Sequence, residues 1–290
     1  MNICSVNVIE NAIVYSNVEN IMAKVSIIMG AYNCEDTLNE AIDSILNQTF
    51  DDWEFIICDD ASSDSTLSIL NEYKELYPNK FVILHNNNNL MLSGSLNRCL
   101  EKATGMYIAR MDADDISMPN RIEKQVEFLD THKEYSVVGT FMQSFDELGK
   151  HNIIPNKQRP TKYDLPKFNS FHHATILMRK DVYDNLGGYT VSERTRRVED
   201  LDLWFRFFEK GYEGYTISEP LYLVREDNDA FKRRKFKYNI DTAKVICKGI
   251  KRLDLPVKYY IYVLKPIVSF FVPKNIKAIF RKKYSKQEEK

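Results

Sequence analysis

Paired cysteine is what this sequence most clearly lacks. Its five cysteines, Cys4, Cys34, Cys58, Cys99 and Cys247, are scattered, with no C-x-x-C pair and no even framework. That pattern excludes a disulfide scaffold and a cysteine zinc site, and it fits free thiols in a reducing compartment. A long apolar run is missing as well. The stretch "YYIYVLKPIVSFFVP" (259–273) is interrupted by Lys265 and is shorter than the ~20 apolar residues a spanning helix needs. Residues 1–24 lack the basic start and apolar core of a signal peptide. Met22 directly precedes the first convincing strand, so residues 1–22 are expected to form a poorly ordered N-terminal extension. No internal repeat is visible. The apolar fraction of 44% is ordinary for a globular chain, which excludes wholesale disorder.

Charge is balanced overall and uneven along the chain. Residues 231–290 carry 18 Lys and Arg against 4 Asp and Glu, a balance of +14, which leaves −15 on residues 1–230. The basic segment is either a solvated helical tail or a surface that meets an anionic partner, phospholipid or nucleic acid. Aromatic and aliphatic residues interleave its charges, which favours lipid and a helix lying in the membrane plane. The acidic body and the lack of an RNA-binding signature argue against nucleic acid. These features predict a cytoplasmic protein, peripheral at the inner face of the cell membrane through its C-terminal tail.

Between residues 24 and 112 strand and helix patterns alternate. Apolar β-branched runs at 24–33, 53–60, 81–86 and 107–112 read as strands. Segments 35–48, 63–77 and 93–105 have helical spacing, with Gly105 placed as a C-terminal stop. Such alternation predicts an α/β fold with a mostly parallel central sheet flanked by helices. Ligands of such sheets bind at the carboxyl ends of strands. Further on, 120–132 reads as a helix, 135–145 as a strand and 146–170 as a long polar connection. The pattern then gives a strand at 172–180, a turn at 187–189, an amphipathic helix at 198–211 and two short strands around Pro220.

The stretch "IARMDADDISMP" (108–119) sets Asp112, Asp114 and Asp115 at the end of an apolar run. Like charges crowded there cost stability unless a positive group sits among them. It is either a solvated turn or a site that waits for a cation. Asp59 and Asp60 end the second strand, and Tyr32 and Asn33 end the first, so convergence of these ends predicts one acidic pocket. A nucleotidyltransferase shares this logic, but it needs a glycine-rich loop bearing Lys or Arg after the first strand, and "GAYNCEDTLNE" provides none.

Four segments in register, "VSIIMGAYN", "IICDDASSDST", "ARMDADD" and "VEDLDLWFR", resemble the family 2 glycosyltransferases of the GT-A fold, including those of bacterial capsule, lipopolysaccharide and exopolysaccharide synthesis. The match spans 24 to about 225. It implies a GT-A domain over 23–230, with a nucleotide-binding half at 23–115 and an acceptor-binding half at 116–230, followed by a basic helical extension at 231–290. It also implies an inverting, metal-dependent hexosyltransferase that moves a sugar from a nucleotide-diphosphate sugar, most simply a UDP-sugar, to a hydroxyl of a glycan or lipid-linked acceptor. "DAD" (112–114) is similar to the family's D-x-D motif, which assigns Asp114 to Mn²⁺ or Mg²⁺ and places Asp112 near the ribose or beside the metal. Strand alternation would set these two on the same side. Asp60 matches the carboxylate that accepts from the base, while Asp59 either joins it or holds a backbone turn. Gly30, where the family usually has proline, lets the backbone approach a ligand, with Ala31 and Tyr32 bordering the base and ribose. Asp200 matches the catalytic base, and Glu199 orients it or holds the acceptor. Asp202 falls on another helix face. His173 is the candidate beside the acceptor. Arg194, Arg196 and Arg197 either close over the diphosphate or are solvated loop charges.

Overall fold

The computed structural model describes residues 23–168, 170–226 and 236–272. The expected extension at 1–22 lies outside the described residues, as do 231–235 and 273–290 of the basic tail. Strands β1 (Val25–Ala31), β2 (Trp53–Asp59), β3 (Phe81–His85) and β4 (Tyr107–Arg110) run parallel, with β1 between β2 and β4. Helices α1 (Leu38–Leu46), α2 (Thr66–Leu76) and α3 (Met91–Lys102) connect them. The sheet continues through β8 (Leu177–Arg179), β6 (Val137–Asp146), β9 (Gly214–Arg225) and the short β5 (Ile116–Ser117), in the order β3-β2-β1-β4-β8-β6-β9-β5. It is parallel through the first four strands and mixed beyond them, because β8 is antiparallel to both β4 and β6.

Alternation along the strands builds two cores. Val25, Ile27 and Met29 face one side with Phe55, Ile57, Tyr107 and Ala109, beneath α1 and α4 (Arg121–Thr131). Ile28, Ile56, Cys58 and Ile108 face the other, beneath α3, α5 (Lys180–Leu186), α6 (Glu199–Glu209) and α7 (Phe236–Arg252). This period of two, with both faces apolar, is what a doubly covered sheet requires. Gly105 matters for approach rather than for ending a helix: an added Cβ would lie 2.6 Å from the backbone N of Ser26.

Several expectations are revised. The polar connection at 146–170 contains β7 (Gly149–Ile154), which returns as a hairpin on β6. The strand expected at 172–180 is a 3₁₀ turn at His173–Thr175 followed by the three residues of β8, and α5 starts at once from Lys180. Pro220, lacking a donor, does not split its strand in two. It coincides with a register break inside the continuous β9, where Thr140 pairs Ile217 and Phe141 pairs Pro220. After α7 the chain forms a 3₁₀ stretch (Val257–Leu264) and α8 (Lys265–Phe271).

Candidate functional site

The carboxyl ends of β1, β2 and β4 meet on one edge of the sheet. The backbone N–H of Asp60 donates to the Ala31 carbonyl at 2.8 Å, tying the first two ends together. Oδ1 of Asp60 accepts from the Asn86 amide and from the Leu90 N–H, both at 2.7 Å. No bond to its other oxygen is found among the described residues. Asp59 is fully buried and serves its own turn: Oδ2 accepts from the Ser62 N–H at 3.3 Å and lies 2.8 Å from His85 Nδ1. The alternative kept open for Asp59 therefore matches its contacts. Gly30 gives room to α3, since a Cβ there would sit 3.0 Å from Leu92 Cδ1. Ala31 is buried and Tyr32 is exposed at the rim.

Strand β4 ends at Arg110, so Asp112, Asp114 and Asp115 lie in a turn, closed by the Asp115 N–H to the Asp112 carbonyl. Strand alternation therefore does not place Asp112 and Asp114 together; the turn does. Three further groups hold it. Thr37 Oγ1 donates to the Ala113 carbonyl at 2.9 Å. The Asp112 N–H donates to Tyr222 Oη at 3.1 Å. Arg225 gives its N–H to Asp115 Oδ1 and its Nε–H to the Asp114 carbonyl, both at 2.9 Å. Asp115 thus looks inward, and its carboxyl is pushed well above the usual range by burial and by Asp112 and Asp114. Asp114 is solvent-exposed at the rim, yet packing against the loop, followed by the charge of Asp112, raises its pKa. No side chain among the described residues donates to its carboxylate.

The positive group among these acids is Arg110. Its guanidinium is buried and pairs with Asp112 at 2.8 Å. Burial opposes its charge, but Asp112, Tyr189, Tyr222 and Glu199 outweigh that and hold it firmly protonated. Asp200 and Glu199 open α6, and both feel the charge of this arginine. Asp200 Oδ1 accepts from the Leu201 N–H at 2.7 Å. Burial raises the pKa of both acids; Arg110 pulls each partly back, while Asp112 pushes Asp200 up. Both carboxylate groups thus share the field of Arg110. Leu201, Leu203, Trp204, Phe205 and Phe207 bury the helix that carries Asp200, and Phe208 packs partly buried beside them.

Asp202 accepts from Thr190 Oγ1 at 2.7 Å and pairs with Arg206 at 2.9 Å, so it is committed to structure. His173 is buried, with Nε2 2.8 Å from Tyr189 Oη, which in turn meets Tyr183 Oη at 2.9 Å. Burial and then Arg110 push its pKa well below the usual value, so it is neutral. Asn97 fixes the turn that presents Tyr189, accepting its N–H at 2.8 Å and donating to its carbonyl at 2.9 Å. Arg197 stacks 5.0 Å from the Tyr238 ring of α7.

Sequence reading passed over Arg110, Asn86, Tyr189, Tyr222 and Arg225. A charged residue inside an apolar strand was the available signal for Arg110. Tyr222 and Arg225 act across more than a hundred residues, which no local pattern reports.

Residues 26–187 match the model of glycosyl transferase family 2. EpsE of Bacillus subtilis (strain 168), assigned as a glycosyltransferase, is 50% identical over 262 residues, covering 90% of this chain and 94% of its own. WfaP of Escherichia coli, a UDP-Glc:alpha-D-GlcNAc-diphosphoundecaprenol beta-1,3-glucosyltransferase, is 28% identical over 251 residues, 85% of this chain and 95% of its own. S. aureus TarS in complex with UDP-GlcNAc superposes with a TM-score of 0.67 at 20% identity, over 85% of this chain and 73% of that one. The architecture is the GT-A fold. With its sheet-edge acids in register and a close relative along nearly its whole length, the chain belongs to glycosyl transferase family 2.

Proposed function

We propose that this protein transfers a sugar, with inversion, from a UDP-sugar to a hydroxyl of a lipid-linked glycan during surface-polysaccharide assembly. The observation that supports the reading is that Asp200 of α6 feels the charges of both Arg110 and Asp112, which are themselves paired at 2.8 Å. UDP-GlcNAc in TarS and the diphosphoundecaprenol acceptor in the name of WfaP support the donor and acceptor classes.

The free oxygen of Asp60 would accept the N3–H of uracil, a charge-assisted bond selective for that base. Asn86 and Leu90 fix its orientation. Tyr32 at the rim would cover the base. Asp114 and Asp112 offer hard oxygen donors, and Asp114, unpartnered among the described residues, is raised in pKa by burial and then by Asp112. That set fits Mn²⁺ or Mg²⁺, which take one or two carboxylates and complete their shell from phosphates and water. When bound, the cation supplies positive charge to the departing diphosphate. Asp200, its basicity raised by burial, takes the acceptor hydroxyl proton as the new C1–O bond forms and the C1–O bond to phosphate breaks, the electron pair leaving with UDP. Glu199 beside it would hold the acceptor. No helix among the described residues is long and apolar enough to cross a membrane. The lipid-linked acceptor would be met at the inner membrane face.

The test is a turnover screen across UDP-, GDP- and dTDP-sugars with Mn²⁺ or Mg²⁺, followed by transfer to polyprenyl-diphosphate-linked N-acetylglucosamine. UDP-sugar turnover that Asp200→Asn abolishes is the expected result. Equal turnover in that variant, or no response to any donor, refutes the reading.

A further inference from the structure

Helix α7 packs along the outer side of α6. Gly249 faces Phe205 so closely that an added Cβ would lie 2.3 Å from its ring, and Arg252 pairs with Glu209 at 3.2 Å. The chain then turns onto the loop at 160–168. Tyr259 is the one buried residue of the 3₁₀ stretch. Its ring meets that of Tyr163 at 5.9 Å, with the Lys167 and Lys258 ammonium groups at 5.6 and 5.8 Å. Lys265 donates to the Lys167 carbonyl. Around this seam apolar side chains stand in water. Val257 is 83% exposed, Ile261 64% and Phe271 71%, Leu264 and Val268 more than half, and α8 buries none of its residues. The loop adds the exposed Phe168 beside Lys167.

We propose that this composite face, built from the 160–168 loop and residues 257–271, docks on an anionic phospholipid bilayer. The reading rests on the proposed lipid-linked acceptor and names the surface that would bring the enzyme to it. Large apolar side chains exposed in such number along one short stretch mark a surface that meets a partner. Its mixture of aromatics, aliphatics and lysines suits the headgroup boundary, where rings and short apolar side chains bury and lysine stems reach outward. Lys162 lies by the Tyr163 ring, and Lys167 and Lys258 by the Tyr259 ring; in sequence, the following residues 273–290 carry seven Lys and Arg against two Glu. A second copy of the chain is a poor occupant, because an isologous contact would set these lysines against their own equivalents. The −15 of residues 1–230 is repelled by an anionic surface. Charge therefore turns the tail side toward the bilayer, and with it α6, which carries Asp200.

Co-sedimentation of the full chain with phosphatidylcholine vesicles, with and without phosphatidylglycerol, tests this. The intact protein should bind the anionic vesicles, less so at high salt. The double variant I261E/L264E should bind at least about tenfold more weakly, since it removes two inserted side chains, and F168S several-fold more weakly. All three positions are exposed, so melting temperatures should be unchanged. Unaltered partition in the double variant overturns the proposal. Unaltered partition in F168S removes the loop from the surface and overturns the composite face. A dimer in sedimentation velocity that I261E/L264E converts to monomer without touching vesicle binding assigns the face to a second copy instead. Donor turnover, measured without vesicles, should be equal in all forms. Its absence throughout, with vesicle binding as stated, sinks the catalytic reading and leaves the surface standing.

Discussion

Two adjacent aspartates of the acidic turn should respond oppositely to the same substitution. Asp114→Asn removes a carboxylate that receives no side-chain hydrogen bond among the described residues and that repels Asp112 and Asp115. Its rim position exposes it to water, so screening reduces the relief to about 0.3–1 kcal/mol, the scale of exposed charge pairs. For a chain of this size that raises Tm by roughly 1–4 °C. Asp112→Asn instead removes the countercharge of the buried Arg110 guanidinium and one of the two oxygens that accept from it, leaving a second nitrogen without an acceptor beside Nε, which has none among the described residues. An unsatisfied buried donor costs about 1–3 kcal/mol, so this variant should melt lower. The sign with pH follows. Because the folded pKa of Asp114 is raised, its ionisation costs the native state stability above the usual aspartate range. The advantage of Asp114→Asn is present at neutral pH and closes as acid protonates Asp114 in the wild type. Adding Mn²⁺ with UDP should reverse the order, since only the wild type then gains binding energy. The assay is thermal unfolding in chelator across pH, repeated with Mn²⁺ and UDP. Lowered stability in Asp114→Asn at neutral pH, or a gap indifferent to pH, would refute the electrostatic account.

Asp200→Asn should leave UDP binding by calorimetry near normal and lower transfer by roughly 10²–10⁴-fold, and the wild-type rate should fall on acidification through the raised pKa of Asp200. Asp202→Asn should lower Tm, because Arg206 loses its ion pair, with transfer chemistry at permissive temperature little changed; abolished transfer there would move the base along the helix. Asn86→Leu should weaken UDP binding by freeing the Asp60 carboxylate, and equal affinity would show that Asp60 needs no such support. Gly249→Ala should destabilise by about 1–3 kcal/mol through overpacking against Phe205; a neutral effect, read by urea unfolding, would mean that α7 does not pack against α6 as described.

The parallel half of the sheet was legible because its strands are buried on both faces and its helices carry a clear apolar period. β1 and β2 fall within three residues of their expected bounds. The second half was less so. β7 pairs with β6 outside the main path of the sheet and is largely exposed, and its only apolar side chains, Ile153 and Ile154, stand together at its end without alternation. β8 is three residues long and is defined by its neighbours rather than by its own pattern. Among site residues, the acids at strand ends were readable from chemistry and motif. Strand alternation was the wrong geometric reason to set Asp112 beside Asp114, since β4 stops at Arg110 and both lie in the turn after it. The groups that hold the acids in place come from β9 (Tyr222, Arg225) and from the loops after β1 and β3 (Thr37, Asn86), and only the tertiary fold brings them there.

Strand β9 has a temporal consequence. Tyr222 holds the Asp112 amide and Arg225 holds Asp115 across 110 residues of chain. A nascent chain emerging from the ribosome can complete β1 to β4 early, because their pairings are nearer in sequence. The acidic turn stays unpinned until residue 225 has been synthesised and β9 has closed beside β6 and β5. Closing that long loop is entropically slow. Nucleotide-binding competence should therefore arise late and abruptly during synthesis. Until then the turn of four residues with three negative charges is without its clamp, and the chain holds no finished site that could capture donor before the base helix is in position.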